Sequence, residues 1–491
     1  MVYLNLDNWV TGNIGPKPNR KIIASTSNVV RHLQRLEEIA ADHGDSRSVI
    51  NGHGASVKYV VENLERWNST FKVWTQAVPL NVQVDDEPPQ LTIFPNKYSN
   101  LTLRPRLDVA VARGSGPVSL EGAPLIFIDS CAINIKKTNW VAVIDATPSP
   151  EDTPLCNACE RLMSAIREGC RGAILIHRSG QFEGYPHPLA PQPGRCGRNP
   201  KYLDRMKQIG VVSLSDEHAL NLLKLMVVNH KIKVNLKVVS VYREFISHNV
   251  LAETINGDEN KIAFFGCHLD SVPAGPGIND DGSGAMGTLE LARALHDSEL
   301  SQTTVQKIRF GWWTGEEIGL LGSRYYMNDL QENHPEEVSY IKLNIDTDMI
   351  ASPNYVRGVW DGSSIPDQQS EVAVKSRTLH ELFRNHFKSK DLPIFSFPFN
   401  GRSDFQPFLD AGIPAGGVIT GEDEIKSVES AALFGGVSGM VLDPCYHQDC
   451  DRVASIRGSG EVILEQNMEA LAVVLETVAT AEDIDSLLLG K

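Results

Sequence analysis

From about Val239 onward the chain alternates short apolar runs with amphipathic ones, and this alternation narrows the fold more than any other feature. KIAFFG, KIRFGWW, YIKLNID and GIPAGGVI read as strands. AMGTLELARALHD, GSRYYMNDL, QQSEVAVKSRTLHELFRNHF and GEVILEQNMEALAVVLETVAT read as helices. Strands alternating with helices bury both faces of a sheet, so the expected class is α/β, with a mostly parallel or mixed central sheet and helices on both faces. In open sheets of this kind ligands bind beyond the carboxyl ends of the strands.

The first half is organised differently. Residues 1–20 are expected to be an N-terminal extension. From Thr26 to about Arg66 the pattern is helical, with Val30, Leu33, Leu36 and Ile39 at three-residue steps and Val57, Val60, Val61 and Leu64 repeating them. Residues 21–113 are assigned to the main domain, together with 236–491. Residues 114–235 carry their own strands (LIFID, WVAVID, GAILIHR, GVVSL), helices and a Pro/Gly-rich turn, EGYPHPLAPQPGRCGRNP, but no histidine–carboxylate constellation. They read as a smaller inserted accessory domain, α/β or β-rich.

At 491 residues two or three folding units are expected. The 46 basic against 61 acidic residues give a net charge of −15, which repels nucleic acid and anionic membranes, so neither is expected as a partner. No apolar run is long enough to span a bilayer. The first twenty residues lack a secretory signal pattern. Cysteine usage points the other way: of eight, Cys156, Cys159, Cys170 and Cys196 form one cluster, and Cys445 and Cys450 another. Such clusters suit disulfides, and with sequons at Asn68 and Asn100 they imply a secreted or vacuolar protein.

Five segments of the second half carry the chemistry: HLDS from His268, INDDGSG from Ile278, TGEE from Thr314, NIDTDMI from Asn344, and CYHQDC from Cys445. Each is expected to leave the carboxyl end of a strand, where they can converge. Period-two alternation places His268 and Asp270 on one face, and a zinc-binding histidine commonly gives its second N–H to a carboxylate such as Asp270. Of Asp280 and Asp281, one can bridge two metals while the other caps the following helix. Glu316 and Glu317 are adjacent and point apart, which suits one metal ligand and one free general base. Asp346 or Asp348 can complete the set. A Cys445–Cys450 bridge would hold Tyr446 and His447 in a fixed orientation, and a tyrosine there can donate to an oxyanion. Nitrogen and oxygen donors without thiolate suit zinc first, with manganese or cobalt as alternatives.

HLDSVPAGPGINDDGSG, WWTGEEIGLLGSRYY, DMIASPN, NGRSDFQPF and CYHQDCD resemble the M28 family of zinc aminopeptidases, the aminopeptidase Y and secreted bacterial group. The likeness runs from about Val239 to the C-terminus. It implies two zinc ions, one held by His268 and Glu317, the other by Asp348 and His447, with Asp280 bridging. It also implies Glu316 as proton acceptor, Asp270 as support for His268, and Tyr446 and Arg402 near the substrate. The accessory region resembles a protease-associated domain. Family members usually read NFDMI where this chain has NIDTDMI; the longer downstream match selects Asp348 over Asp346. The implied activity is removal of N-terminal residues from peptides with a free amine, by a monomer. The alternatives are an M28-like carboxypeptidase, a glutaminyl cyclase, or a non-catalytic receptor-like relative.

Overall fold

The computed structural model describes residues 22–105, 107–147, 156–176, 200–229 and 231–490; the N-terminal extension and most of the Pro/Gly-rich turn lie outside them. Two compact units emerge. One runs to Val78 and resumes at Ser247, and the other is Pro79–Ile246.

In the first unit the strands lie in the order Phe395–Pro398, Gly358–Asp361, Ala415–Ile419, Ile341–Thr347, Asp258–His268, Gln306–Trp313, followed by the end of Lys233–Thr254. Asp258–His268 is parallel to both of its neighbours, and Ile341–Thr347 is parallel to Ala415–Ile419. Gly358–Asp361 against Ala415–Ile419 and Gln306–Trp313 against Lys233–Thr254 are antiparallel. The sheet is therefore mixed, as expected, with its parallel strands at the centre.

Period-two alternation sorts the central strand between two apolar layers. Ala263, Phe265 and Cys267 pack in the layer of Leu289 and Leu471, from helices Gly284–Asp297 and Ser459–Thr480. Ile262 and Phe264 pack on the other side with Trp313, Tyr326 and Phe408. Each fully buried Phe or Leu contributes about 1.5–3 kcal/mol by leaving water. Cys267 is the buried small hydrophobe that its place in the strand suggests.

The helical stretch near the N-terminus is two helices, Thr26–Asp42 and His53–Leu64. The break falls where Gly44 takes φ +75° and where a Cβ on Gly52 would meet the Ser46 carbonyl at 2.6 Å. The turn between them carries Arg47, whose side chain is completely buried.

The second unit holds the parallel strands Val118–Phe127, Trp140–Asp145, Cys170–Ile176 and Gly210–Leu214, with Val109–Val111 antiparallel at the edge. Its boundaries fall at Pro79 and Ile246, earlier and later than the expected 114 and 235. Leu91, Ile93, Leu103 and Val109 join its core, and the start of Lys233–Thr254 pairs with Val118–Phe127. Both boundaries lie inside long strands, Phe71–Asn96 and Lys233–Thr254, where no change of composition marks them. The expectation of disulfides among Cys156, Cys159, Cys170 and Cys196 is corrected for two of them, while Cys196 lies outside the described residues. Cys156 bonds to Cys131, 25 residues upstream, and Cys170 is a buried free thiol.

Candidate metal centre

Strand register explains why distant segments meet. His268 ends its strand level with Trp313, and Asp346 is level with Gly266, so HLDS, TGEE and NIDTDMI leave the sheet at the same edge. INDDGSG, reached through the irregular residues 269–277, and CYHQDC both depart from the expectation that each segment directly follows a strand. CYHQDC comes well after Ala415–Ile419, beyond the short helix Val428–Phe434.

The carboxylate of Asp280 joins the two halves of the cluster. Its Oδ1 lies 3.2 Å from His268 Nε2 and its Oδ2 lies 3.1 Å from His447 Nε2. Asp348 Oδ1 is 3.6 Å from the same His268 nitrogen, and Glu317 Oε2 is 3.1 Å from His447 Nε2. Two groups result, His268–Asp280–Asp348 and His447–Asp280–Glu317. This corrects the partition implied by the family resemblance, which put Glu317 with His268 and Asp348 with His447. The physical reason is the direction in which the chain leaves the strands: Glu317 turns toward the CYHQDC loop, while Asp348 stays beside the strand that ends at His268.

Glu316 and Glu317 diverge as adjacent residues should. Glu316 Oε2 points to the His268 side, 4.0 Å from Nε2, and its N–H donates to Asp270 Oδ1 at 3.2 Å. Asp270 supports His268 differently from expectation. The Nδ1 of His268 meets the backbone carbonyl of Asp270 at 3.0 Å, whereas the carboxylate is 3.9 Å away. Asp346, the rejected candidate, accepts from Ser403 Oγ at 2.9 Å. Asp281 accepts from the N–H groups of Gly284 at 2.9 Å and Met349 at 3.1 Å, so it serves the helix start and the neighbouring loop.

The disulfide joins Cys445 and Cys450, with Cα atoms 5.3 Å apart. Within its loop the Tyr446 ring stacks on His447 at 3.8 Å. Arg402 donates to the Tyr446 hydroxyl at 3.2 Å and is itself paired with Glu422 at 2.6 Å and Asp423 at 2.8 Å.

Electrostatically the centre is an excess of buried carboxylate. Burial lowers the affinity of His447 for a proton, but Glu317 and Asp280 outweigh it and hold the imidazole up to about 10. Burial likewise opposes a charged His268, and Asp348, Asp280 and Glu316 overcome it. Burial pushes Asp270 up to about 7, against the pull of His268, and raises Glu316 well above the usual carboxylate range. Asp280 Oδ2 and Asp348 Oδ1 are buried and face the imidazole nitrogens of His447 at 3.1 Å and His268 at 3.6 Å. On one side donor atoms of Asp280, Glu317 and His447 lie within 4.8 Å of one another, and on the other those of His268, Asp348 and Asp281 do, with Asp280 Oδ1 also reaching His268; all are nitrogen or oxygen and fit a divalent cation of borderline hardness.

Three supporting residues were missed by sequence reasoning, and only one of them carries any signal there. Asp451 accepts the N–H of Asn279 at 2.7 Å and of Asp280 at 3.0 Å. Asp443 accepts from Asn279 Nδ2 at 2.6 Å and from the Cys445 N–H at 2.8 Å. Arg47 lies beneath the loop that joins His268 to Asp280. The second D of CYHQDCD was the one hint, since it follows the second cysteine directly.

Peptidase family M28 matches residues 249–472. Probable leucine aminopeptidase 2 of Aspergillus fumigatus is 38% identical over 457 residues, covering 93% of this chain and 84% of that protein. Leucine aminopeptidase 2 of Trichophyton rubrum is 38% identical over 267 residues, so the match spans about half the length of that relative, 52%. Among solved structures, an aminopeptidase from Aneurinibacillus sp. strain AM-1 superposes with a TM-score of 0.64 at 19% identity, over 93% of this chain and 94% of that one. BSAP, a zinc aminopeptidase from Bacillus subtilis, gives 0.64 at 20% identity, over 94% and 97%. At these identities the two structures speak for the fold.

Proposed function

The chain belongs to peptidase family M28, and from the geometry of its acid–imidazole cluster we propose that it is a zinc-dependent aminopeptidase acting on peptides with a free N-terminus. The observation that carries this reading is the placing of the two Asp280 oxygens, one toward His268 and one toward His447. His268, Asp348 and Asp280 would hold one zinc ion, and His447, Glu317 and Asp280 the other. When bound, such a pair polarises a scissile carbonyl and lowers the pKa of water so that it attacks near neutral pH.

The remaining steps belong to side chains. Glu316 takes the proton of the attacking water and returns it to the leaving amine. Its raised proton affinity, caused first by burial, suits an acceptor that must also donate. The Tyr446 hydroxyl, already an acceptor from Arg402, keeps its own proton to donate to the developing oxyanion. Arg402 faces Glu422 and Asp423, so this rim has more negative than positive charge and favours a substrate ammonium over a carboxylate. That balance weighs against carboxypeptidase action, and the double ligand set weighs against a one-metal cyclase.

The second unit, Pro79–Ile246, is read as the protease-associated module. Among the described residues no helix is long and apolar enough to cross a membrane. The Cys131–Cys156 and Cys445–Cys450 bonds suit an oxidising compartment, secreted or vacuolar. Hydrolysis of leucyl anilide, suggested by the names of the relatives, is compared with that of its N-acetyl form, before and after chelation. The expected result is turnover of the free-amine substrate alone, lost on chelation and restored by zinc. Equal turnover of both forms, or activity that survives metal removal, overturns the reading.

A further inference from the structure

Arg47 is a guanidinium with none of its side chain exposed, contributed by the turn between the two N-terminal helices. Among the described residues no carboxylate forms an ion pair with it. All its side-chain bonds go to backbone carbonyls: Nε to Pro276 at 2.7 Å, Nη1 to Leu269 at 2.5 Å, and Nη2 to Gly277. Its own N–H donates to Ser271 Oγ at 3.0 Å, and the neighbouring Ser46 Oγ donates to the Val272 carbonyl at 2.9 Å. All these acceptors lie on one stretch, 269–277, which connects His268 to Asp280.

That stretch reads LDSVPAGPG and has no regular structure of its own. A glycine- and proline-rich connector of this kind does not by itself fix the distance between its ends. A planar fork of five N–H donors can hold several carbonyls in one geometry, which the compact ammonium of lysine cannot. Gly277 lies at φ +60°, and a Cβ there would run into the Asp280 carbonyl and the Ser271 side chain, with Arg47 Nη2 3.1 Å away. The connector is thus closed around the guanidinium, and the charge sits in the field of Asp451, Asp270, Asp281 and Asp280.

We propose that Arg47 is a positioning residue of the metal centre, holding the 269–277 connector so that His268 and Asp280 present their donor atoms to one cation. The inference rests on the dizinc reading above. It assigns a function to the N-terminal segment, which supplies none of the metal ligands.

The test measures zinc affinity by competition with a chromophoric chelator, on full-length wild type, Arg47→Lys and Ser271→Ala. It also records the visible absorption of the Co2+-loaded forms. Arg47→Lys is expected to bind zinc about 10- to 100-fold more weakly, as loss of a supporting contact does, with a changed cobalt spectrum. Ser271→Ala, which removes the acceptor of the Arg47 N–H together with the hydroxyl's own donation to the Val272 and Gly275 carbonyls, is expected to lose affinity several-fold with its circular dichroism unchanged. Wild-type affinity and spectrum in a folded Arg47→Lys protein overturn the inference. If Arg47→Lys does not fold, wild-type affinity in Ser271→Ala overturns it. A wild-type protein that binds no zinc refutes the dizinc reading instead.

Discussion

Asp451 accepts the backbone N–H of Asp280 at 3.0 Å, across 171 residues of chain. The residue proposed to bridge two cations is therefore held from behind by the segment that also delivers His447. The two sides of the centre are assembled together: the loop that carries one imidazole fixes the carboxylate that the other imidazole faces.

The proposed role of Glu316 as proton acceptor predicts separable losses. Glu316→Gln should retain both metal ions, since none of the clusters able to hold a cation includes this residue. Turnover should fall by about 10²- to 10⁴-fold. Metal content and steady-state hydrolysis of leucyl anilide decide the matter, and near wild-type turnover removes Glu316 from the mechanism.

Asp346 and Asp348 can be told apart by metal count. Asp348 Oδ1 faces His268, whereas Asp346 is engaged by Ser403. Asp348→Ala should lose one zinc per chain, and Asp346→Asn should keep both. The opposite pattern, read by atomic absorption, would restore Asp346 as the ligand.

Opening the Cys445–Cys450 bond should affect the site more than the fold. A loop this short contributes only about 2 kcal/mol through chain entropy. The same bond orients the loop that stacks Tyr446 on His447. The Cys445→Ser/Cys450→Ser double variant should show weaker zinc binding by about 10-fold or more, with a small fall in unfolding midpoint. Unchanged zinc affinity would mean that Asp443 and Asp451 suffice to hold the loop.

His53 makes stability fall in acid. Burial, helped by the charge of Arg47, brings its pKa down from 6.5 to about 4. Below pH 6.5 the unfolded chain gains a proton that the folded protein cannot hold until about pH 4, so stability declines across that window. Linkage sets the loss at no more than about 3 kcal/mol. Urea unfolding at pH 7 and pH 4.5 should show a smaller difference for His53→Gln than for wild type, and an equal difference excludes His53 as a source.

Much of this was legible from residues alone. The central strands are largely apolar and end at polar segments, so KIAFFG and KIRFGWW announce both themselves and the sheet edge where chemistry can sit. His268, Asp280, Glu317, Asp348 and His447 are found in the cluster because short motifs name them. Asp443, Asp451 and Arg47 are not legible in this way. An aspartate that accepts backbone N–H groups far along the chain looks like any solvated aspartate, and a buried arginine looks like a surface one.

Local pattern determined which elements form and which side chains carry reactive groups, because burial periodicity and residue chemistry are properties of neighbouring positions. Only the tertiary structure decided how those groups are shared. It put Glu317 with His447 and Asp348 with His268, paired Cys156 with Cys131, and turned the Asp270 carbonyl, not its carboxylate, toward His268. Each of these depends on the direction in which a chain leaves a strand or turns through a loop. That direction is set by contacts between distant segments, such as Asp451 with the Asp280 N–H and Arg47 with the Gly277 carbonyl, which no single stretch of sequence contains.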